Sequence, residues 1–99
     1  MFFINIIKSC RDVIAICDEE LLGKKFEEGK FQLDIKESFF RGKESSEEEV
    51  LEIIKKMQVE DSTFNIVGEK SIQVALNAGI ISKEGIGKIA NIPFALVLV

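Results

Sequence analysis

The sequence predicts an α+β fold, a two-layer sandwich in which two helices pack on a mainly antiparallel sheet. Three observations lead to it. Runs rich in Val, Ile and Phe stand at both ends of the chain, two segments between them space their apolar residues as helices do, and no Pro-rich linker interrupts them. The 99 residues are 46% hydrophobic and 30% charged, so residues 1–99 are expected to form a single domain with one core.

The N-terminal residues predict a β-hairpin and one turn of helix. Phe2 to Lys8 and Val13 to Cys17 are β-rich runs on either side of a short polar break. Asp18 stands where it would cap a single helical turn that Gly23 ends.

A further strand is expected from Lys30 to Glu37, where apolar and polar residues alternate. Phe39 and Phe40 end this strand, and Arg41 to Lys43 begins a loop. The residues that the alternation places on the buried face are Phe31, Leu33 and Ile35.

Two helices and a strand between them are expected next. Ser46 to Glu49 fits a capping box, and apolar residues then recur on one face up to Met57. Thr63 to Val67 predicts a strand that Gly68 ends. Glu69 to Ala78 predicts the second helix, with a glycine at its C-terminus.

The last two strands are expected around Pro93, from Ile86 to Ile92 and from Phe94 to Val99. The second of them is almost continuously apolar. Such a strand is either central, with both faces covered, or an edge strand that meets a partner. The sequence leaves both arrangements open, and the second implies a protein partner or self-association.

The chain has few groups for catalysis, because it contains no histidine, tyrosine or tryptophan. Ser-His and Cys-His nucleophile pairs and most catalytic zinc sites need an imidazole. Cys10 lies in the predicted turn and Cys17 at the far end of the second predicted strand, so the two are expected to be too far apart for a disulfide, and further soft or nitrogen ligands for a metal are lacking. The sequence therefore predicts no catalytic residue, metal or cofactor, and a reactive Cys10 beside Arg11 is the remaining alternative.

Gly68, Lys70 and Ser71 form a candidate anion-binding site. If the strand and helix predictions hold, free amides at the helix start, the lysine and the hydroxyl could receive a phosphate or a carboxylate. The segment lacks the spacing of a phosphate-binding loop, and one glycine at such a junction is also an ordinary backbone turn.

A second candidate site combines an aromatic ring with basic side chains, as single-stranded RNA binding does. Its residues are Lys24, Lys25, Lys30, Phe40, Arg41 and Lys43. Neighbouring residues of a strand point to opposite faces, so only one of Phe39 and Phe40 is expected in the core. Packing of both rings is the alternative.

The net charge of −4 is concentrated in one segment. Residues 1–43 carry eight acidic and eight basic side chains, whereas residues 44–61 carry seven acidic and two basic ones. The low isoelectric point therefore leaves room for a basic surface elsewhere. The N-terminal run lacks a basic start, and the C-terminal run falls far short of the ~20 apolar residues of a bilayer span, so a cytoplasmic protein without a membrane partner is expected.

Six short motifs occur, one after another, along nearly the whole chain. They are Cys17-Asp18-Glu19-Glu20-Leu21-Leu22-Gly23, Phe26-Glu27-Glu28-Gly29, Ser38-Phe39-Phe40, Val67-Gly68-Glu69-Lys70-Ser71, Ala78-Gly79-Ile80-Ile81 and Ile92-Pro93-Phe94-Ala95. Together they resemble a family of small archaeal proteins, the domain of unknown function family 424. The resemblance implies an archaeal cytosolic protein with a compact α+β fold, and it implies no enzymatic activity.

The sequence departs from the pattern of that family at two places. Phe40 stands where the resemblance implies a tyrosine, and Pro93-Phe94-Ala95-Leu96 stands where it implies proline, histidine, alanine and glutamine. If those polar groups form a site in relatives, this chain lacks the imidazole and the amide. The departure counts against a shared catalytic role and for a structural or binding role.

Three functional hypotheses follow from the sequence. The leading one is a non-catalytic binding module in archaeal information processing, acting on RNA or a ribonucleoprotein. The second is a small-ligand or anion-binding protein, or a weak enzyme, that uses the junction at Gly68. The third is a protein–protein interaction module that uses the apolar C-terminal strand.

Overall fold

Most of the β-branched and aromatic runs of the sequence form one six-stranded sheet. The structure is a computed structural model that describes residues 1–58 and 61–99. Its helices and strands, in chain order, are β1 Phe2–Ile7, β2 Asp12–Asp18, β3 Lys25–Glu28, β4 Phe31–Asp34, α1 Glu37–Phe40, β5 Lys43–Ser45, α2 Glu47–Met57, β6 Ser62–Val67, α3 Glu69–Ala78, β7 Gly87–Ile89 and β8 Ile92–Leu98. Short 3-10 turns occupy Glu19–Leu21 and Lys83–Gly85.

The strands of the large sheet follow the order β5-β1-β2-β6-β8-β7, and β3 pairs with β4 in a separate ribbon. Within the described residues, β2 and β6 are the one parallel pair. The predicted α+β class, the mainly antiparallel sheet and the two helices packed on it are confirmed. The predicted hairpin is confirmed as well, and its register runs from Phe2 opposite Asp18 to Ile7 opposite Val13.

Helices α2 and α3 cover one face of the sheet and close the main core. Val50, Ile54 and Met57 of α2 are buried there, as their helical spacing predicts. The predicted capping box is also present. The Ser46 hydroxyl accepts the N–H of Glu49 at 3.3 Å, and the Glu49 carboxylate accepts the N–H of Ser46 at 2.9 Å, which lowers the pKa of Glu49.

The opposite face of the sheet carries a second core. There the β3–β4 ribbon, α1 and the first 3-10 turn pack around Cys17 and Val67. Gly29, at a φ of 61°, lets the chain reverse between β3 and β4. The resulting register places Phe26 opposite Leu33, and both side chains pack against this second core.

The strand predicted from Lys30 to Glu37 is wrong in its length and in one of its buried residues. β4 ends at Asp34, and the helix α1 follows. Phe31 was expected on the buried face, but it is 70% exposed because it lies at the tip of the ribbon, next to the reversal. β3 has no counterpart among the predictions, because its two adjacent glutamates hide the alternation.

The predicted strand break at Pro93 is also wrong. The chain reverses at Ala90 and Asn91, whose φ angles are 52° and 66°, in a two-residue hairpin turn. Pro93 lies inside β8. Proline has no backbone N–H, but the sheet loses no hydrogen bond at this position. The Gly68 carbonyl, which directly follows β6 and would be the acceptor, instead accepts the Ile72 N–H at 2.9 Å and so begins α3.

Candidate functional site

The junction of β6 and α3 carries the first candidate site, and the chain's own Asp18 occupies it. One oxygen of the Asp18 carboxyl accepts both the N–H and the hydroxyl of Ser71, each at 2.7 Å. The other oxygen accepts the N–H of Lys70 at 3.1 Å. The amides that were predicted to receive an external anion are therefore bonded to an internal carboxyl group, which an external ligand would have to displace.

Asp18 was expected to cap the helical turn that follows it, and this prediction is wrong. Its side chain makes no cap bond to that turn and instead caps α3, 52 and 53 residues farther along the chain. The parallel register explains the contact. Cys17 lies opposite Val67, so the next residue of β2 meets the first turn of α3.

Gly68 makes this contact possible. It has a φ of 110°, and a Cβ added to it would stand 2.3 Å from the Asp18 Cγ. The junction is therefore an internal anchor between β2 and α3 that leaves no space for a side chain at this position.

The basic residues of the predicted RNA site are interleaved with acidic ones. Its exposed lysines on or beside the ribbon are Lys24, Lys25 and Lys30. Three acidic residues of the segment 24–34 balance their charge. The two remaining cations are already paired, Arg41 with Glu37 at 3.0 Å and Lys43 with Glu49 at 3.3 Å.

Phe40 is the member of that group whose predicted role the structure contradicts. Its side chain is 5% exposed and packs edge-to-face on Phe39, with 5.1 Å between the ring centroids. Because α1 turns both rings toward the second core, the alternative in which both are packed is found. The exposed ring is that of Phe31, which the prediction missed. Gly29, a turn residue directly before the alternating run, was the signal for a chain reversal that could have located it.

An apolar groove of about 400 Å³ lies between the ribbon, α1 and the adjacent strands β6 and β8. Asn65 contributes one half-buried amide to its floor, while Gln32 and Asp34 line its ribbon side. The apolar residues that line it are Leu33, Phe39, Phe40, Ile66, Val67, Phe94, Ala95 and Leu96.

The positions at which the sequence departs from the pattern of the resembled family all lie in this apolar groove. Phe40, Phe94 and Leu96 line it together. The Phe94 ring also lies so close over Gly87 that a Cβ on this glycine would stand 2.7 Å from the ring. In this chain these residues therefore contribute to an apolar surface, where the resemblance implies polar groups.

The last part of β8 borders the apolar groove and has a partner strand on one side only. β6 pairs with β8 from Phe94 to Leu98, whereas β7 pairs with β8 only from Ile92 to Phe94. The side chains of Leu96 and Leu98 are 60% and 69% exposed. Of the two arrangements predicted for this strand, neither holds over its whole length: β8 is central at its start and an edge strand at its end.

Along this free edge, the N–H and C=O groups of successive residues point to opposite sides of the strand. The carbonyl of Pro93 and the N–H of Val99 both bond toward β6, each at 2.9 Å. In an antiparallel pair successive residues bond to opposite sides, so the N–H and C=O groups of Leu96 and Leu98 point away from β6. Within the described part of the chain, no strand pairs with them there.

The two cysteines lie in different environments. Cys10 is exposed and Cys17 is buried. Burial is the main cause that raises the pKa of the Cys17 thiol to about 12, and the neighbouring Asp18 adds to it. Arg11, beside Cys10, donates to Thr63 and to the Ser62 carbonyl at 3.0 Å each. Its guanidinium therefore holds the end of β6.

Thiol labelling is expected to separate the two cysteines. At about pH 8 Cys10 should react with Ellman's reagent in native buffer, and Cys17 only after denaturation. Above about pH 9 the unfolded chain ionises Cys17 while the folded chain does not, so the free energy of unfolding should fall as pH rises. Cys17→Ala should remove this slope and Cys10→Ala should keep it. Reaction of both thiols in native buffer would contradict the assignment.

Within residues 1–58 and 61–99, no three acidic or thiol side chains converge as metal ligands would. The helices of this part of the chain are also too short or too polar to cross a bilayer.

Comparison with known proteins gives a family and a structural relative. A family model described as "Protein of unknown function (DUF424)" matches residues 7–99. The chain is similar to a crystal structure described as an uncharacterized conserved protein from Methanopyrus kandleri, with 26% sequence identity and a TM-score of 0.81. That match covers 99% of this chain and 90% of the other. The search of curated proteins gave no match.

Proposed function

Since the chain belongs to the DUF424 family, whose description names no activity, we propose a function from its own surface: it is a non-catalytic protein-binding module. It takes an extended apolar segment of a partner along the free edge of β8, with alternate side chains of that segment in the apolar groove. The observation that carries the proposal is the outward-facing, unpaired backbone of Leu96 and Leu98 beside that groove.

Strand addition supplies both affinity and orientation. An incoming strand donates to and accepts from the backbone of Leu96 and Leu98, which continues the hydrogen-bond ladder of the sheet. Because side chains alternate along a strand, every second residue of the partner lies on the face that holds the exposed leucine side chains. Burial of these leucines contributes the apolar part of the binding free energy.

The lining of the apolar groove sets the preference for a partner sequence. Its floor and α1 side are apolar apart from Asn65, and Asp34 stands on the ribbon side. A charged side chain placed on the floor of this groove would lose water without gaining a partner of opposite charge there. The preferred segment is therefore uncharged and rich in Val, Ile or Leu at alternate positions.

RNA binding is the weaker candidate, because the exposed lysines of the ribbon are balanced by acids and Phe40 is packed. It stays a prediction. Binding of a single-stranded RNA oligomer is accordingly included as a separate outcome of the test.

The test is a nuclear magnetic resonance titration of the isotope-labelled protein with a capped, uncharged peptide of alternating Val and Thr. The amide signals of Leu96 and Leu98 should shift. A matched peptide with the same side chains, N-methylated at the two residues that pair with this edge, should bind about 10- to 30-fold more weakly, since it lacks two backbone bonds.

Two results would contradict the proposal. One is equal binding of the N-methylated peptide, and the other is a set of shifts away from β8. Shifts at Lys24, Lys25 and Lys30 on addition of a uridine oligomer, without shifts at β8, would favour the RNA hypothesis instead.

The proposed setting is the cytoplasm of an archaeon. It is supported by the archaeal source of the structural relative and by two free thiols, one of them exposed, which reducing compartments keep in that form.

A further inference from the structure

We infer that the partner segment is β8 of a second copy of this chain, so that two copies join edge to edge into one continuous sheet. The inference rests on the proposed function, because it uses the same free edge of β8 and names its occupant. It follows from the register of the backbone, the pattern of the side chains and the absence of charge in the segment.

The backbone register is self-complementary. A two-fold axis through the pair formed by Val97 and its symmetry mate would set Leu96 opposite Leu98 of the second copy, and Leu98 opposite its Leu96. These are the two residues whose N–H and C=O groups point away from β6. In an antiparallel ladder, hydrogen-bonded and non-bonded pairs alternate, so a centre at Val97 makes both leucine pairs the bonded ones.

The side chains match the same axis. Leu96 and Leu98 point to the face opposite the helices and are largely exposed in the single chain. In the pair, four leucines would lie together on that face, each covering one of the other copy. The pairing therefore removes apolar surface from water on both copies at once.

Charge does not oppose this contact. No charged residue occurs from 89 to 99, so two identical strands can meet without like charges opposite each other. At the other end of the free edge, β7 begins at Gly87, and the preceding Ile86 packs against the helix-side core. The chain before β7 is thus engaged with the helix layer and not with β8.

The size of the contact sets the expected strength. A pairing of residues 95–99 of the two copies buries less than the ~1,200 Å² at which stable interfaces begin, so the dimer is expected to be weak, with a dissociation constant on the order of 10–100 µM. A reversible dimer of this strength suits an edge that also accepts another segment of similar chemistry.

The test is sedimentation velocity of the full chain over a concentration series, with variants that exploit the register. Leu96→Lys and Leu98→Glu should each weaken the dimer by at least about tenfold, because each places an unpaired charge opposite a leucine. Mixing these two variants sets the introduced lysine opposite the introduced glutamate and keeps the other leucine pair, so the mixture should recover the dimer.

A mixture of Leu96→Lys with Leu96→Glu is the matched control. It leaves the two introduced charges diagonal to each other, ~7–8 Å apart, with each of them opposite a leucine. This mixture should therefore recover much less of the dimer than the first one does.

The outcomes separate this inference from the proposed function. Recovery in the first mixture and not in the second supports the β8–β8 register. Equal behaviour of the two mixtures, or a wild-type dimer that neither variant weakens, overturns it. A wild-type monomer at several hundred micromolar, combined with peptide-induced shifts at Leu96 and Leu98, overturns the second copy as occupant and leaves the proposed function intact. A monomer that also fails to bind the peptide overturns both.

Both substituted positions are exposed, and unchanged thermal melts will verify that the variants fold.

Discussion

Asp18→Ala is expected to lower the free energy of unfolding by about 3 kcal/mol. The substitution leaves the N–H groups of Lys70 and Ser71 and the Ser71 hydroxyl without their acceptor, in a site where Asp18 itself is 3% exposed. It also removes the cap of α3 and, within the described residues, the only side-chain hydrogen bonds between β2 and α3. Chemical denaturation measures the change.

The matched control for this variant is Asp61→Ala. The Asp61 side chain is 90% exposed and lies 4.0 Å from Arg11, so its removal should change the free energy of unfolding by less than about 0.5 kcal/mol. An Asp18→Ala protein as stable as the Asp61→Ala protein would show that the junction is not an anchor.

Gly68→Ala is expected to destabilise the fold by at least about 3 kcal/mol, through backbone strain and collision together. The φ of 110° is one that a residue with a Cβ rarely adopts, and the added atom would stand 2.3 Å from the Asp18 Cγ. Relief of the collision would require the Asp18 carboxyl to leave α3. The shift in denaturation midpoint reports the effect.

Two controls separate the causes. Gly85→Ala meets nothing within 4 Å and should be nearly neutral, while Gly79→Ala, at a φ of 79° with open space around it, should cost about 1 kcal/mol from backbone strain alone. In the Asp18→Ala background, Gly68→Ala should cost less, since the collision partner is gone. Strict additivity of the two substitutions would contradict the contact.

The parts of the fold that the sequence predicts are those with local causes. The capping box at Ser46, the glycine that ends α3 at Gly79 and the alternation of the first hairpin each depend on residues a few positions apart. The partner of Asp18 could not be predicted in this way. It is set by the parallel register of β2 and β6, which brings together residues more than 50 positions apart.

The candidate binding surface is predicted in part. The unbroken apolar run from Phe94 to Val99 marks β8 as either central or an edge, and the sequence cannot decide because the answer depends on the length of β7. The dependence on distant structure also explains why Phe31, predicted to be buried, is exposed, and why Phe40, predicted to bind RNA, is buried. Alternation places both near a strand, while a reversal at Gly29 and a short helix decide which ring is covered.

Site-resolved hydrogen exchange at β8 tests the central claim most directly, at a low-micromolar protein concentration where a weak dimer is dissociated. We expect slow exchange at Ala95 and Val97, whose N–H groups bond toward β6, and fast exchange at Leu96 and Leu98. Addition of the alternating peptide should slow exchange at Leu96 and Leu98 alone. Slow exchange at both leucines in the dilute protein without peptide, or no slowing on its addition, would contradict the claim that this edge is open and takes a strand.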